Sequence, residues 1–340
     1  MTSLSSMGEF GFLEKLKARF GNMDPALPMG MGDDAAVLPS GDKENYALFS
    51  SDMLLEGTHF DISYTPMESL GYKAVSVNVS DMIAMNGRGK YIVVGLGMSA
   101  RYGWEDVKSL YEGMERACKE YDISLVGGDT VSHSKGLLLS LAIWGEVPKA
   151  SVTYRKGAKP HDVLCVTGSL GASYVGLQLL IREKRTVLSD PTLSPEIAEY
   201  APMIQQHLFP QARQDILNFL ESQNIVPHAM IDISDGLSSE ILHLCSASGC
   251  GVEVYEDRLP IKESTYRTAL EIGLEPLTCA MNGGEDYQLL MALPPQIYET
   301  ATSCGDIHAI GYFVENPSHI SLKTKAEQEI SLTAQGWTQF

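Results

Sequence analysis

The chain has 340 residues, of which 44% are hydrophobic and 20% charged, the balance of a folded globular protein rather than a disordered one. That length is sufficient for two domains, each with its own core. The formal net charge of −18 argues against a nucleic-acid-binding surface and against binding to an anionic membrane. An acidic cleft would also repel phosphorylated ligands unless cations lay between them.

The six cysteines are far apart, form no CxxC pair and lie mostly in apolar runs, so we expect buried free thiols rather than a zinc site. The N-terminus has no basic segment followed by an apolar core, so no signal peptide is predicted. The longest apolar run, near Leu137 to Trp144, is too short to span a bilayer. Together these features favour a reducing cytoplasm.

The first predicted element is an amphipathic helix over Glu9–Phe20, with apolar residues on one face. The segment Gly30–Ala36 then superficially fits the G-x-G-x-x-A dinucleotide pattern. We reject that match because two acids occupy the loop and because a strand, Ala36–Leu38, follows instead of a helix. The loop suits a cation or is a simple turn, and its residues alone leave both interpretations open.

Tyr46–Phe49 is a predicted strand that ends in Ser50, Ser51 and Asp52. His59 lies in the following loop, where a lone histidine is usually a surface residue. Glu68–Asn86 is a predicted helix with Asp81 on a largely apolar stripe. A buried carboxylate is costly without a partner, so Asp81 either faces a cation or donors, or lies on the helix surface after all.

The rest of the first half contains a predicted strand at Tyr91–Leu96, a helix from Trp104 to about Tyr121, and a strand at Ile123–Val126 that ends in Gly127-Gly128-Asp129. A long strand at Leu137–Val147 closes it. Lys149–Asp162, which contains Arg155, is rich in Lys, Gly and Pro and is the predicted linker. We therefore expect an N-terminal domain over residues 1–148 and a C-terminal domain over residues 149–340.

The second half has the same organisation of strand, acid-bearing turn and helix. Its predicted strands are Val163–Thr167, Ala229–Ile233, Val252–Tyr255 and Tyr287–Ala292, with one more up to Tyr312; its predicted helices are Ala172–Arg182, Ile197–Leu208, Ala212–Ser222, Glu263–Ile272 and one that begins at Leu237. This pattern predicts two mixed α/β domains around a cleft.

Four segments place carboxylates beside glycine or serine at predicted strand ends: Ser50-Ser51-Asp52, Gly127-Gly128-Asp129-Thr130, Asp232-Ile233-Ser234-Asp235 and Gly283-Gly284-Glu285-Asp286. Oxygen ligands of this kind suit Mg²⁺. The sequence has no P-loop, kinase catalytic loop, G-x-S-x-G elbow or H-E-x-x-H helix. Without a P-loop lysine, carboxylate-bound Mg²⁺ would have to neutralise a transferring phosphoryl group. The chain is therefore interpreted as organised around a multi-metal, phosphate-handling cleft.

Seven blocks strongly resemble the thiamine-monophosphate kinase family, in the family's order and spacing and over nearly the whole chain, from Gly8 to Trp337. They are Gly32–Ala36, Ser51-Asp52 with Glu56–Asp61, Asn78–Met85, Gly127–Thr130, Arg155–Ala158, Ile231–Leu237 and Gly283–Tyr287. Any one block is weak, whereas seven in register are very specific. The departures from the family pattern are small: Thr58 before the histidine, and Asn86-Gly87 after Met85.

The resemblance implies an ATP-dependent kinase that converts thiamine monophosphate into thiamine diphosphate. It also implies the two-domain α/β (α+β) fold of aminoimidazole ribonucleotide synthetase, in which the N-terminal sheets pair into a barrel across a homodimer and the C-terminal domain is mixed α/β. The expected mechanism is direct in-line attack by the acceptor phosphate on the γ-phosphorus of ATP, assisted by several Mg²⁺ ions. The expected partners are thiamine monophosphate, ATP and a second copy of the chain.

The site residues follow by matching position. The implied Mg²⁺ shell is Asp34, Ser50, Ser51, Asp52, Asp81, Asp129, Asp232 and Asp235, and of these Asp52, Asp81, Asp129 and Asp235 are expected to be catalytic. The implied nucleotide contacts are Gly128, Asp129, Arg155 and Ser234, with Tyr111 as a further candidate. The implied substrate contacts are His59, Glu285 and Trp337.

Two rival functions remain. Sister enzymes of the same fold, such as selenophosphate synthetase-like or aminoimidazole ribonucleotide synthetase-like proteins, are the first. The selenophosphate synthetases carry a reactive cysteine or selenocysteine near the N-terminus, and this chain has no cysteine before Cys118. The second rival is a non-enzymatic Ca²⁺-binding or scaffolding protein, which is disfavoured because no acidic loop has the EF-hand alternation.

Overall fold

A computed structural model describes residues 11–12, 15–21, 24, 26–193 and 197–334. Its first sheet has the strand order β1-β2-β5-β3-β4. These strands are β1 (Ala36–Pro39), β2 (Asn45–Leu55), β3 (Arg88–Met98), β4 (Ser124–Ser132) and β5 (Leu137–Pro148). Neighbouring strands are antiparallel except for the parallel pair β3 and β4. The whole sheet is thus contained in the first half of the chain.

The second sheet has the order β12-β11-β8-β10-β6-β9-β7. Its strands are β6 (Val163–Thr167), β7 (Ala229–Asp232), β8 (Gly251–Tyr255), β9 (Leu289–Leu293), β10 (Ile307–Val314), β11 (Ile320–Lys323) and β12 (Glu329–Ser331). The chain is therefore a two-domain, mixed α/β protein. Neither sheet of the described residues closes into a barrel.

From residue 67 onward, nine α-helices accompany these sheets in the described ranges, and none of them has the length and apolar content to cross a membrane. They are α1 (Met67–Ala84), α2 (Trp104–Tyr121), α3 (Ala172–Ser189), α4 (Ala201–Leu208), α5 (Gln214–Ser222), α6 (Leu237–Ser248), α7 (Glu263–Glu271), α8 (Pro276–Asn282) and α9 (Tyr298–Thr302). Of the helix expected near the N-terminus, residues 11, 12 and 15–20 are helical and the rest lies outside the described residues.

Two predicted strand ends were wrong. Ser50, Ser51 and Asp52 lie in the middle of β2, and Asp129 lies in the middle of β4, because both strands continue well past the apolar residues that suggested them. The alternation along β2 turns the side chains of Ser50 and Asp52 to the half-buried face and that of Ser51 to the exposed face. Ser50 and Asp52 are therefore positioned together by their common face of β2 and not by the end of a strand.

Helix α1 is the structural centre of the molecule, with residues buried around its whole circumference. It packs against the first sheet on one side, while apolar residues of β7 and β9 such as Met230 and Met291 belong to the same buried cluster. The core is thus continuous between the two domains. Five of the six cysteines are buried and none is in a disulfide, as predicted, and Cys304 is half-buried.

Two glycines allow α1 and α2 to approach closely. A Cβ atom on Gly71 would lie 1.9 Å from the carbonyl oxygen of Leu110, and one on Gly113 would lie 1.9 Å from that of Glu68. Only hydrogen fits at these positions, so the glycines set the distance between the helices. That distance in turn places the inward face of α1 against the second domain.

The outer face of the first sheet is open and apolar. Phe49, Met53, Tyr91 and Val93 are 40–56% exposed on β2 and β3. Strand β4 forms the edge, and all nine of its residues are exposed. An exposed apolar sheet face next to an unpaired edge strand is typical of an interface.

Candidate active site

Three carboxylates from both domains meet at the inner end of α1. Asp34 lies in the loop before β1, Asp81 is in the last turn of α1, and Asp232 ends β7. One oxygen from each lies within 4.8 Å of the others. The loop before β1 therefore suits a cation better than a simple turn, because its Asp34 belongs to a group of three acids with the spacing of metal ligands.

The second carboxylate oxygen of Asp34 supports that interpretation. Oδ1 accepts hydrogen bonds from Arg155 Nε at 3.1 Å and Nη2 at 2.5 Å. Oδ2 is buried and has no hydrogen-bond partner among the described residues. A buried carboxylate oxygen left unpaired is costly, and a divalent cation between the three acids would compensate for it. The donor set therefore fits Mg²⁺.

Two serine hydroxyls orient the acids of this cluster. Ser50 Oγ donates to Asp81 Oδ2 at 2.5 Å and also lies 3.1 Å from the Asp34 carbonyl oxygen. Ser80 Oγ, on α1, donates to Asp232 Oδ2 and so links the first domain to the second. Ser50 is one of the residues predicted from the sequence, whereas Ser80 was missed. Its position immediately before Asp81 was the available signal.

The cluster is electrostatically strained. Burial, followed by the nearby Asp34, raises the pKa of Asp52 to about 6 and that of Asp232 to about 7. Burial and then Asp52, Asp232 and Asp34 raise the pKa of Asp81 well above its ordinary value, although the Ser50 hydrogen bond opposes this. Packed acids of like charge resist ionisation unless a cation joins them. Asp52 thus belongs to the same electrostatic group.

The turn between β7 and α6 carries Ser234 and Asp235. Its backbone is held by the buried carboxylate of Glu240, whose Oε1 accepts the Asp235 N–H at 2.9 Å and the Ser234 N–H at 3.3 Å. Burial raises the pKa of Asp235, while Arg155 opposes that shift. Asp235 therefore lies close enough to Arg155 for the two charges to interact. Glu240 was not predicted, since a glutamate on an amphipathic helix is usually exposed.

A second group of charged and polar residues surrounds Glu285. Lys73 Nζ lies 2.7 Å from Glu285 Oε1, and His207 Nδ1 lies 3.2 Å from Glu285 Oε2. His59 is close enough that Glu285 and Lys73 both act on its pKa, which burial lowers overall. The structure thus brings together the two predicted substrate contacts, His59 and Glu285. It adds Lys73 and His207, which the sequence analysis did not single out.

The neighbouring acid of the same corner has another role. Asp286 is directed towards the start of α3, where it accepts the Gly171 N–H at 2.8 Å and the Ser173 N–H at 3.5 Å. Burial raises the pKa of Asp286 to about 7. This side chain fixes the corner before β9 to the rest of its domain, whereas Glu285 is directed towards Lys73 and His207.

Several predicted site residues lie away from the three-acid cluster. Gly128 and Asp129 are exposed on the edge strand β4, and the register places Gly128 three strands from Asp52, a separation of about 14 Å. Ser51 is on the exposed face of β2, and Tyr111 is half-buried against the core on α2. Trp337 lies outside the described residues. The roles assigned to these five residues stay predictions.

Comparison with known proteins gives consistent matches over both domains. Residues 32–147 match the family described as AIR synthase related protein, N-terminal domain, and residues 159–318 match AIR synthase related protein, C-terminal domain. The thiamine-monophosphate kinase of Bacillus subtilis (strain 168) is 32% identical over 345 aligned residues, which cover 98% of this chain and 100% of that protein.

Two solved structures extend the comparison. The structure of AaThiL complexed with AMPPCP and TMP has a TM-score of 0.85 and 30% identity, and the match covers 100% of this chain and 99% of that chain. The crystal structure of thiamine monophosphate kinase from Aquifex aeolicus has a TM-score of 0.77 and 30% identity, with 94% of this chain and 98% of that chain covered.

Proposed function

The chain belongs to the thiamine-monophosphate kinase family, and we propose that this enzyme transfers the γ-phosphoryl group of ATP to thiamine monophosphate, giving thiamine diphosphate. The observation that carries the proposal is the similarity, over the full length of the chain, to a structure complexed with AMPPCP and TMP. The family membership favours this reaction over those of the sister enzymes and over a scaffolding role.

In the proposed mechanism a phosphate oxygen of the acceptor attacks the γ-phosphorus in line, while the bond from that phosphorus to the β–γ bridging oxygen breaks and ADP leaves. That oxygen is already anionic at neutral pH, so the reaction needs neither a phosphoenzyme nor a protein nucleophile. Asp34, Asp81 and Asp232 would hold Mg²⁺, and the further predicted ligands are Asp52, Asp235, Asp129, Ser50 and Ser51. Bound Mg²⁺ would neutralise charge on the two phosphorylated reactants and on the transferring group.

The remaining site residues would bind and orient the reactants. Arg155, which is held in place by Asp34, would steady the phosphate chain of ATP, and Ser234 would contact the nucleotide from the turn after β7. Gly128 and Asp129 on β4, with Tyr111 on α2, are the other proposed nucleotide contacts. His59, Glu285 and Trp337 are the proposed contacts of the acceptor.

We also propose that the protein is a homodimer in the cytoplasm, without nucleic-acid or membrane partners. Support for the dimer comes from the open sheet face and from the exposed strand β4, which carries Leu125, Val126 and Val131 in exposed positions. A second copy could cover both. The free, mostly buried thiols support a reducing compartment.

The proposed reaction is tested with a coupled assay of ATP turnover, with and without thiamine monophosphate, first with Mg²⁺ and then with EDTA. Turnover that requires both the acceptor and Mg²⁺ is expected. Asp81→Ala should reduce kcat by about 10²–10³, because it removes a bridging carboxylate. Asp257→Ala, at an exposed aspartate after β8, is the control and should retain wild-type turnover. A folded Asp81→Ala protein with wild-type kcat would refute the proposal.

A further inference from the structure

Lys73 is a lysine in an unusual environment. It lies on α1, the helix at the centre of the core, and its side chain is only 3% exposed. Burying an ammonium group costs several kcal/mol unless it is paired. Its ion-pair partner is Glu285, whose Oε1 lies 2.7 Å from Nζ and whose side chain is 28% exposed. The side chain of Glu285 is therefore accessible to a ligand, whereas Lys73 is hidden behind it.

The carboxylate of Glu285 is held at both oxygens. Lys73 binds Oε1, and His207 Nδ1 lies 3.2 Å from Oε2. The backbone is fixed as well, because the Glu285 N–H donates to the Ser234 carbonyl oxygen at 2.7 Å and the residue has a φ of 56°, in the left-handed region. The side-chain torsions are the freedom that remains, and the two partners remove it.

The charges around Glu285 balance. Burial would raise the pKa of Glu285, but Lys73 and then His207 lower it to well below its ordinary value, so the carboxylate is ionised. Burial and then Lys73 lower the pKa of His207, so this imidazole is neutral and its Nδ1–H can donate to Glu285. Lys73 and Glu285 thus form a neutral pair. Its oriented carboxylate offers lone pairs to a donor group of a ligand.

We propose that Lys73 is a positioning residue for the acceptor substrate, which it acts on through Glu285. By holding Oε1 from the buried side, Lys73 keeps the partly exposed carboxylate in one orientation. The inference rests on the proposed function, in which Glu285 contacts thiamine monophosphate. Binding of the nucleotide should not be affected, because within the described part of the chain Lys73 pairs with Glu285, whereas Arg155, which is proposed to hold the nucleotide, pairs with Asp34.

The test compares Lys73→Met, Lys73→Arg, Glu285→Gln and the double variant Lys73→Met/Glu285→Gln in the full-length enzyme. Lys119→Met is the matched control, because Lys119 lies 2.6 Å from a glutamate in an exposed pair. The KM for thiamine monophosphate, the KM for ATP and kcat are measured, and binding of thiamine monophosphate alone is measured by calorimetry.

Lys73→Met should raise the KM and the Kd for thiamine monophosphate at least about tenfold, the equivalent of one lost charge-assisted hydrogen bond. The KM for ATP should stay within about twofold, and Lys73→Arg should recover part of the loss. In the Glu285→Gln background, Lys73→Met should add less than about twofold, since a residue that acts through another gives a non-additive cycle.

Unchanged acceptor binding in Lys73→Met, or effects of the two single variants that multiply in the double variant, would overturn the role of Lys73. If Lys73→Met does not fold, the double variant Lys73→Met/Glu285→Gln provides the test, because it removes both charges together. A KM for thiamine monophosphate in the double variant well above that of Glu285→Gln would overturn the role of Lys73. ATP turnover by the wild type that is independent of thiamine monophosphate would instead reject the proposed function. The two failures are therefore distinguishable.

Discussion

The acid cluster makes a quantitative prediction for Asp232→Asn in the absence of divalent cations. The pKa of Asp232 is raised from 3.8 to about 7 by burial and then by Asp34. Between these values the folded protein holds a proton that the unfolded chain releases. The free energy of unfolding of the wild type, measured against that of Asp232→Asn, is therefore highest at low pH and falls as the pH rises towards 7.

The size of the effect follows from the shift. Between pH 5 and about pH 7 the free energy of unfolding of the wild type falls by about 1.36 kcal/mol per pH unit, because only the unfolded chain has lost this proton. The total loss by pH 8 is about 2.7 kcal/mol. For a chain of 340 residues with about 2.1 cal/mol/K of unfolding entropy per residue, this is about 4 °C in Tm. The Tm of the wild type minus that of Asp232→Asn should fall by that amount.

The assay is thermal unfolding at pH 5 and pH 8, first in EDTA and then with Mg²⁺. The comparison with the variant is needed because burial lowers the pKa values of His59, His207 and His243, so their titration also changes the stability with pH; that contribution is common to both proteins and cancels in the difference. Mg²⁺ at about a hundredfold above its Kd should return about 2.7 kcal/mol to the wild type at pH 8. A difference in Tm that is the same at both pH values would refute the reasoning.

Three further predictions concern packing, assembly and the turn after β7. Gly71→Ala should lower Tm strongly, because the added Cβ would lie 1.9 Å from a backbone oxygen of α2. The control is Gly41→Ala, where the added Cβ would have no atom within 4 Å and Tm should not change. Equal Tm values for the two variants would contradict the close contact between α1 and α2. Met53→Lys should turn the proposed dimer into monomers in light scattering, since an unpaired ammonium would be buried at the interface, and an unchanged mass would count against that interface. Glu240→Ala leaves two backbone N–H groups without their acceptor and should raise the KM for ATP about tenfold; an unchanged KM would show that the turn does not need it.

The regular elements were predicted where periodicity was strong. Helix α2 begins at Trp104 and ends at Tyr121 as expected, because its apolar residues recur on one face. The apolar stripe of α1 left open whether Asp81 faces inward or lies on the helix surface, and in the structure Asp81 faces inward, where it accepts a hydrogen bond from Ser50. The short strands β11 and β12 were missed, since each has only three or four residues and little apolar character.

The parts of the site that were not predicted depend on tertiary neighbours. A lysine on an apolar helix gives no local signal of its partner, and Lys73 meets Glu285 only because α1 is enclosed by the second domain. Likewise the residues of β4 read as an ordinary strand, and their exposure follows from the position of that strand at the edge of the sheet. Sequence periodicity reports which face is apolar but not which strand is last in the sheet.

The link from Ser80 to Asp232 joins two halves of the molecule at the centre of the acid cluster, where Asp34 and Asp81 come from one half and Asp232 from the other. Neither half alone carries all three acids of the cluster. In a chimera that exchanged one half with that of a distant member of the fold, the side chains of the two halves would therefore have to match where Ser80 meets Asp232 and where the three acids meet. Although the chain has two domains, the two halves would therefore have to be redesigned together.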